Sequence, residues 1–171
     1  MTSSANKDRY ENLVNKIFSQ LTARGFLCRG KTARKIVNQN CGIIEFQESV
    51  SSINDAVKFT INVGIIYESL AEIGRQDIWS AQLLDAHIRY RIGYLMPVRI
   101  DKWWVLDSDE NIPEIERNIA DAISIYAVPC VESFAADVRT ALALWVTGSS
   151  PGLTAIQRDR LLLAAKKSHL I

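Results

Sequence analysis

His87, Arg89 and Arg91 alternate along residues 86–94, and an extended strand projects such a series from one side of a sheet. Two guanidinium forks beside an imidazole suit a phosphate, a carboxylate or an acidic protein surface. Lys58 and Asn62 alternate in the same sense along residues 57–67, and Glu45, with Gln47, along residues 42–50. Trp104, next to Trp103, would add an aromatic plate, and Asp101 a carboxylate. His87, Arg89, Arg91, Asn62, Lys58, Glu45, Trp104 and Asp101 are therefore the candidate binding residues. The plainer reading is a solvated sheet face whose arginines pair with Glu45 or lie over tryptophan.

Two other patterns invite chemistry that their context does not support. Residues 25–32 read Gly-Phe-Leu-Cys-Arg-Gly-Lys-Thr, a letter-for-letter phosphate-loop match. Such a loop needs a buried strand before it and a helix after it, so that backbone N–H groups and the helix dipole meet the phosphates. Here an amphipathic helix precedes Gly25, and Gly25 already serves as its cap. Asp101, Asp107, Asp109 and Glu110 form an acidic cluster, but acids also suit the start of a helix near Pro113. Cys28, Cys41, Cys130, His87 and His169 are too scattered for a zinc set, so no metal and no cofactor are expected.

The elements that must position these residues follow from the spacing of apolar side chains. Tyr10, Leu13, Val14, Ile17, Phe18 and Leu21 predict a helix over residues 6–24. The period then drops to two in residues 42–50, 57–67 and 86–94, with a short run at 103–106 and an additional one at 31–37. Helical spacing returns with Ile112, Ile115, Ile119, Ile123 and Tyr126, and Pro129 should interrupt or restart it. Val131, Phe134, Ala135, Val138, Leu142 and Trp145 predict the next helix. After a breaker at 148–152, Thr154 and Gln157 cap a last one. Helix, strands, then helices predict an α+β fold: an antiparallel sheet of four to five strands, with the N-terminal helix and the C-terminal helices packed on one face. Residues 1–147 read as one domain, and 148–171 as a linker and helical appendage.

The chain has 171 residues, of which 48% are hydrophobic, and a net charge of +1, which argues against wholesale disorder, a histone-like nucleic-acid binder and an acidic tail protein. That total hides an asymmetry. Residues 1–40 carry eight basic and two acidic side chains, whereas residues 41–120 carry seven basic and thirteen acidic. The polar start lacks a signal-peptide core, no apolar stretch reaches the ~20 residues of a membrane span, and three unpaired cysteines fit a reducing compartment. A cytoplasmic location without membrane contact is expected.

Phe59-Thr60-Ile61-Asn62-Val63-Gly64-Ile65, the run Arg91-Ile92-Gly93 and the block Asp101-Lys102-Trp103-Trp104 together resemble a bacterial family catalogued as domain of unknown function 4304. The resemblance spans roughly residues 8–146 and implies an α+β domain, but no reaction, cofactor or catalytic residue. The expected function is a non-enzymatic binding or interaction module, an antitoxin- or immunity-like protein being one concrete form. The alternative is an enzyme or ligand-binding protein acting on an anionic small molecule at the polar sheet face. Nucleic-acid binding ranks third.

Overall fold

The N-terminal stripe forms α1 (Ser4–Thr22), and Tyr10, Leu13, Val14, Ile17, Phe18 and Leu21 are all buried. The structure, a computed structural model, describes residues 4–50, 56–71, 80, 82–107 and 111–171. Gly25 ends the first helix at φ +83, its N–H on the Thr22 carbonyl and the Phe26 N–H on the Leu21 carbonyl, a left-handed cap. The chain turns at once into a hairpin of β1 (Leu27–Arg29) and β2 (Thr32–Val37), with Arg29 opposite Thr32. The phosphate-loop match thus spans a helix cap and a hairpin turn, and a strand rather than a helix follows it.

Four more strands complete the sheet: β3 (Asn40–Glu48), β4 (Val57–Ile66), β5 (Ile88–Arg91) and β6 (Trp104–Leu106). Every pairing is antiparallel, and the order runs β1-β2-β3-β4-β5. β3 fills one edge of β4; β5 and β6 share the other, β5 along residues 62–65 and β6 along 57–59. Among the described residues the sheet has six strands where four to five were expected, because three-residue β1 is too short to show a period. The strand expected over residues 86–94 is also shorter. After Arg91 the chain leaves the sheet and makes a single helical turn, α2 (Ile92–Leu95).

Pro129 does not break the helix it sits in. α3 (Ile112–Ala122), a π-helical turn (Ile123–Ala127) and α4 (Val128–Ala136) run on without interruption. The widened turn lies just ahead of Pro129, where a missing N–H and the ring's bulk would otherwise clash with a tight α-turn. As one run, Ile112–Ala136 is long and apolar enough to cross a bilayer by length and composition, contrary to the expectation that no segment would be. Its stripe of Ile115, Ile119, Ile123, Ala127 and Val131 is buried in the protein core. The stripe read as one helix from Val131 to Trp145 is two. Asp137, extended at φ −150, ends α4 and accepts the Arg139 N–H to open α5 (Val138–Val146).

The helices cover one face of the sheet, where Ile44, Phe46, Phe59, Ile61, Val63 and Ile65 meet them. Contact is close at Gly42, where a Cβ would lie 2.1 Å from Val131 Cγ1. α6 (Ala155–Lys167), with the expected Thr154–Gln157 capping box, packs Ala165 into the same core and touches α5 and the 3-10 turn Glu68–Leu70. The other face is not bare throughout. Cys41, Ile43, Ile66 and Ala86 form a second buried cluster with Ile36 and Leu83, beside the 3-10 turn Leu83–Asp85. Burial pushes the Cys41 thiol up to about 11 and the Cys130 thiol up to about 12, so both act as apolar packing groups.

Candidate functional site

Register decides which polar residues converge. Thr32 lies opposite Glu45, Glu45 opposite Asn62, and Asn62 opposite Arg91, a row across β2, β3, β4 and β5 on the face away from the main helices. Asn62 is buried and donates its Nδ2 to Gln47 Oε1 at 2.8 Å, which fixes both amides. Arg91 leans over the indole of Trp103, its Cζ 5.0 Å from the ring centre, and donates to Asp101 Oδ2 at 2.6 Å. Trp103 Nε1 donates to the same oxygen at 2.9 Å, and Lys58 Nζ stands 5.1 Å from the same ring. Arg91, Asp101 and Trp103 are therefore locked together.

Gln47, Asn62, Arg91 and Asp101 form one wall of a cleft of about 630 Å³, within the size range of small-ligand sites. Gln47, Asn62, Arg89, Arg91 and Asp101 line it, joined by Leu83, Tyr90, Tyr94, Arg99, Pro151 and Gly152. Among the described lining residues, three guanidinium groups face one carboxylate, a local excess of two positive charges. The three arginines differ in their freedom. Arg91 is committed to Asp101. Arg89 gives its Nε and Nη2 to the Gly152 carbonyl, and its backbone N–H to the Pro151 carbonyl at 3.0 Å. The Arg99 side chain makes no hydrogen bond or ion pair among the described residues and is exposed.

Of the residues expected at the site, Asn62, Arg89, Arg91 and Asp101 line the cleft. Lys58 lies beyond it, over Trp103, and Glu45 sits in the cross-strand row against Thr32, whose Oγ1 is 3.5 Å from Glu45 Oε2. Two expectations need correction. His87 lies one residue before β5 and is buried against Tyr67, a member of the main core, rather than presented to a ligand. Its Nδ1 accepts the Tyr67 N–H at 2.9 Å, the two rings stack at 7°, and desolvation lowers its pKa to about 4. Trp104 points the other way, into the core against Phe59, and the residue on the polar side is Trp103, because neighbours in a strand alternate. Asp107 is exposed and accepts from Asn111 Nδ2, away from the cleft; Asp109 and Glu110 lie outside the described residues.

Arg99, Tyr94, Pro151 and Gly152 were not anticipated. Period-two reasoning finds strand residues only, and these four come from a helical turn and two loops. The available signal for Arg99 was its place between the Arg91-Ile92-Gly93 and Asp101-Lys102-Trp103-Trp104 blocks. For Gly152 it was the glycine itself. At φ +74, a Cβ there would meet Arg89 Cβ at 2.4 Å, so only glycine lets the loop seat on β5.

The fold is an open antiparallel sheet with helices on one face and a cationic cleft on the other. The chain belongs to the family described as domain of unknown function (DUF4304), whose model matches residues 17–133. No curated protein and no solved structure matches it. The matched region includes every cleft residue named above except Pro151 and Gly152, which the chain adds from beyond it.

Proposed function

We propose that the protein is a binding module that seats an anionic group, a carboxylate or a phosphate, in the cleft between β5, the loop after α2 and the turn before α6. The observation that carries this reading is the excess of guanidinium charge in a concave site, with the Arg99 guanidinium in no hydrogen bond or ion pair among the described residues. Concavity matters because low-dielectric walls strengthen the attraction a fixed charge exerts on a ligand. Pre-set geometry supports it further: Arg91 is stacked and ion-paired, Arg89 is tied to Gly152, and Asn62 is buried and hydrogen-bonded, so little side-chain freedom is lost on binding. Asp101, the one carboxylate among the described lining residues, is engaged by Arg91 and Trp103, which favours a role in positioning over proton transfer.

Isothermal titration of pyrophosphate and of citrate tests the reading. Saturable binding that weakens at least tenfold in Arg99→Ala supports it. Equal affinity in wild type and Arg99→Ala, or no binding of either anion, overturns it.

A further inference from the structure

The loop that carries Arg99 is apolar and exposed. Val98 is 71% exposed and Ile100 58%, on either side of Arg99, and Tyr94, which lines the cleft, is 51% exposed. Scattered surface hydrophobics are ordinary, but Tyr94 lines the cationic cleft, and Val98 and Ile100 flank Arg99, which lines it too. The loop is also held in place. The Arg99 N–H bonds to the Met96 carbonyl at 3.1 Å, and Thr60 Oγ1 holds the Lys102 carbonyl at 2.7 Å. At Gly93 the loop packs so closely that a Cβ would lie 1.9 Å from the Ile100 carbonyl oxygen and 2.6 Å from Lys102 N. Apolar side chains kept rigidly in water beside a charged pocket are preorganised for a ligand that covers both.

A small anion filling the cleft would leave Val98 and Ile100 in water. A ligand that uses them must extend over the rim. An anionic bilayer extends far enough, but residues 41–120, which include the whole sheet from β4 to β6, carry thirteen acidic and seven basic side chains. That field opposes a broad negative surface while leaving a local basic pocket open to a narrow chain. Resting on the anion-binding reading, we infer that the occupant is an extended segment of a protein partner: an acidic side chain or C-terminal carboxylate enters the cleft toward Arg99 and Arg91, and adjacent apolar side chains lie on Tyr94, Val98 and Ile100.

The test is selection of random nonapeptides displayed on phage against the full chain, followed by titration of the synthesised consensus peptide. The inference expects Asp, Glu or a free C-terminus within two positions of Leu, Ile, Val or Phe. The peptide should bind at least tenfold more weakly to Arg99→Ala and to the double variant Val98→Ser/Ile100→Ser, whose thermal unfolding should match wild type. If pyrophosphate binds in an Arg99-dependent way but selection yields no such peptides, or the double variant binds the peptide normally, this inference fails and the anion reading stands. If neither pyrophosphate nor any peptide binds, both fail. Rim-dependent sedimentation with phosphatidylglycerol/phosphatidylcholine vesicles, in place of peptide binding, also overturns it.

Discussion

Arg91 and Trp103 share one acceptor: the guanidinium Nη1 lies 2.6 Å, and the indole Nε1 2.9 Å, from Asp101 Oδ2. One carboxylate oxygen thus fixes both the cation and the ring it stacks on, and it also cancels part of the cleft's positive charge. Asp101→Asn keeps an acceptor oxygen for both donors and removes that cancelling charge. Pyrophosphate should then bind about fivefold tighter at low ionic strength, a Coulomb effect of about 1 kcal/mol. The ion pair is more than a third exposed on the Asp101 side, so unfolding free energy should change by no more than about 1 kcal/mol. Calorimetric titration with parallel urea denaturation checks both; weaker anion binding would contradict the charge argument.

His87 makes stability depend on pH. Its folded-state pKa is about 4 against an ordinary 6.5, so between these values the unfolded chain binds the extra proton. The stability it contributes is fully present above pH 6.5 and is lost as pH falls toward 4, at most about 3 kcal/mol. His87→Asn offers an oxygen where Nδ1 accepts the Tyr67 N–H and cannot titrate. Urea midpoints at pH 7 and pH 4.5 should therefore differ less in His87→Asn than in wild type. Identical pH dependence would show that the imidazole is not held neutral.

Gly152→Ala should lift the turn before α6 off β5. The new Cβ would lie 2.9 Å from the Arg89 carbonyl oxygen as well as against its Cβ, and φ +74 adds backbone strain of about 1–3 kcal/mol. The Arg89 amide, now bonded to the Pro151 carbonyl, reports the event. Its hydrogen exchange should accelerate in Gly152→Ala while the Ile61 amide, in the middle of β4, stays protected. Unchanged Arg89 protection would mean the turn does not depend on glycine.

The approach of α4 to β3 is tested by a double-mutant cycle. Gly42→Ala places a methyl 2.1 Å from Val131 Cγ1 and should destabilise the fold by about 1–3 kcal/mol. Val131→Ala removes the clashing methyls, so the pair should couple favourably by at least about 0.5 kcal/mol. Additive effects would place the strain elsewhere.

What the sequence disclosed, it disclosed through periods. Six buried apolar residues of α1 and the alternating Val57, Phe59, Ile61, Val63 and Ile65 of β4 announce their faces because one side of each element meets water or polar neighbours. The same logic placed Asn62 and Arg91 together, and register then put them in opposition. It misled at His87, because β5 begins only at Ile88 and the alternation does not reach His87, which packs on Tyr67 instead. It chose the wrong tryptophan because a three-residue strand gives alternation no starting phase. Arg99 and Gly152 were invisible for a different reason: their places are set by loop closure onto Gly93 and Arg89, contacts between distant residues that no local spacing encodes.

The central claim is that anions enter the cleft at Arg99 and Arg91. Proton–nitrogen NMR of the arginine Nε groups during a pyrophosphate titration tests it most directly. The account predicts saturable shifts of the Arg99 and Arg91 signals, with Arg117 and Arg139 unmoved. Shifts confined to Arg24 and Arg29 in the basic N-terminal stretch, or no saturable shift at all, would contradict it.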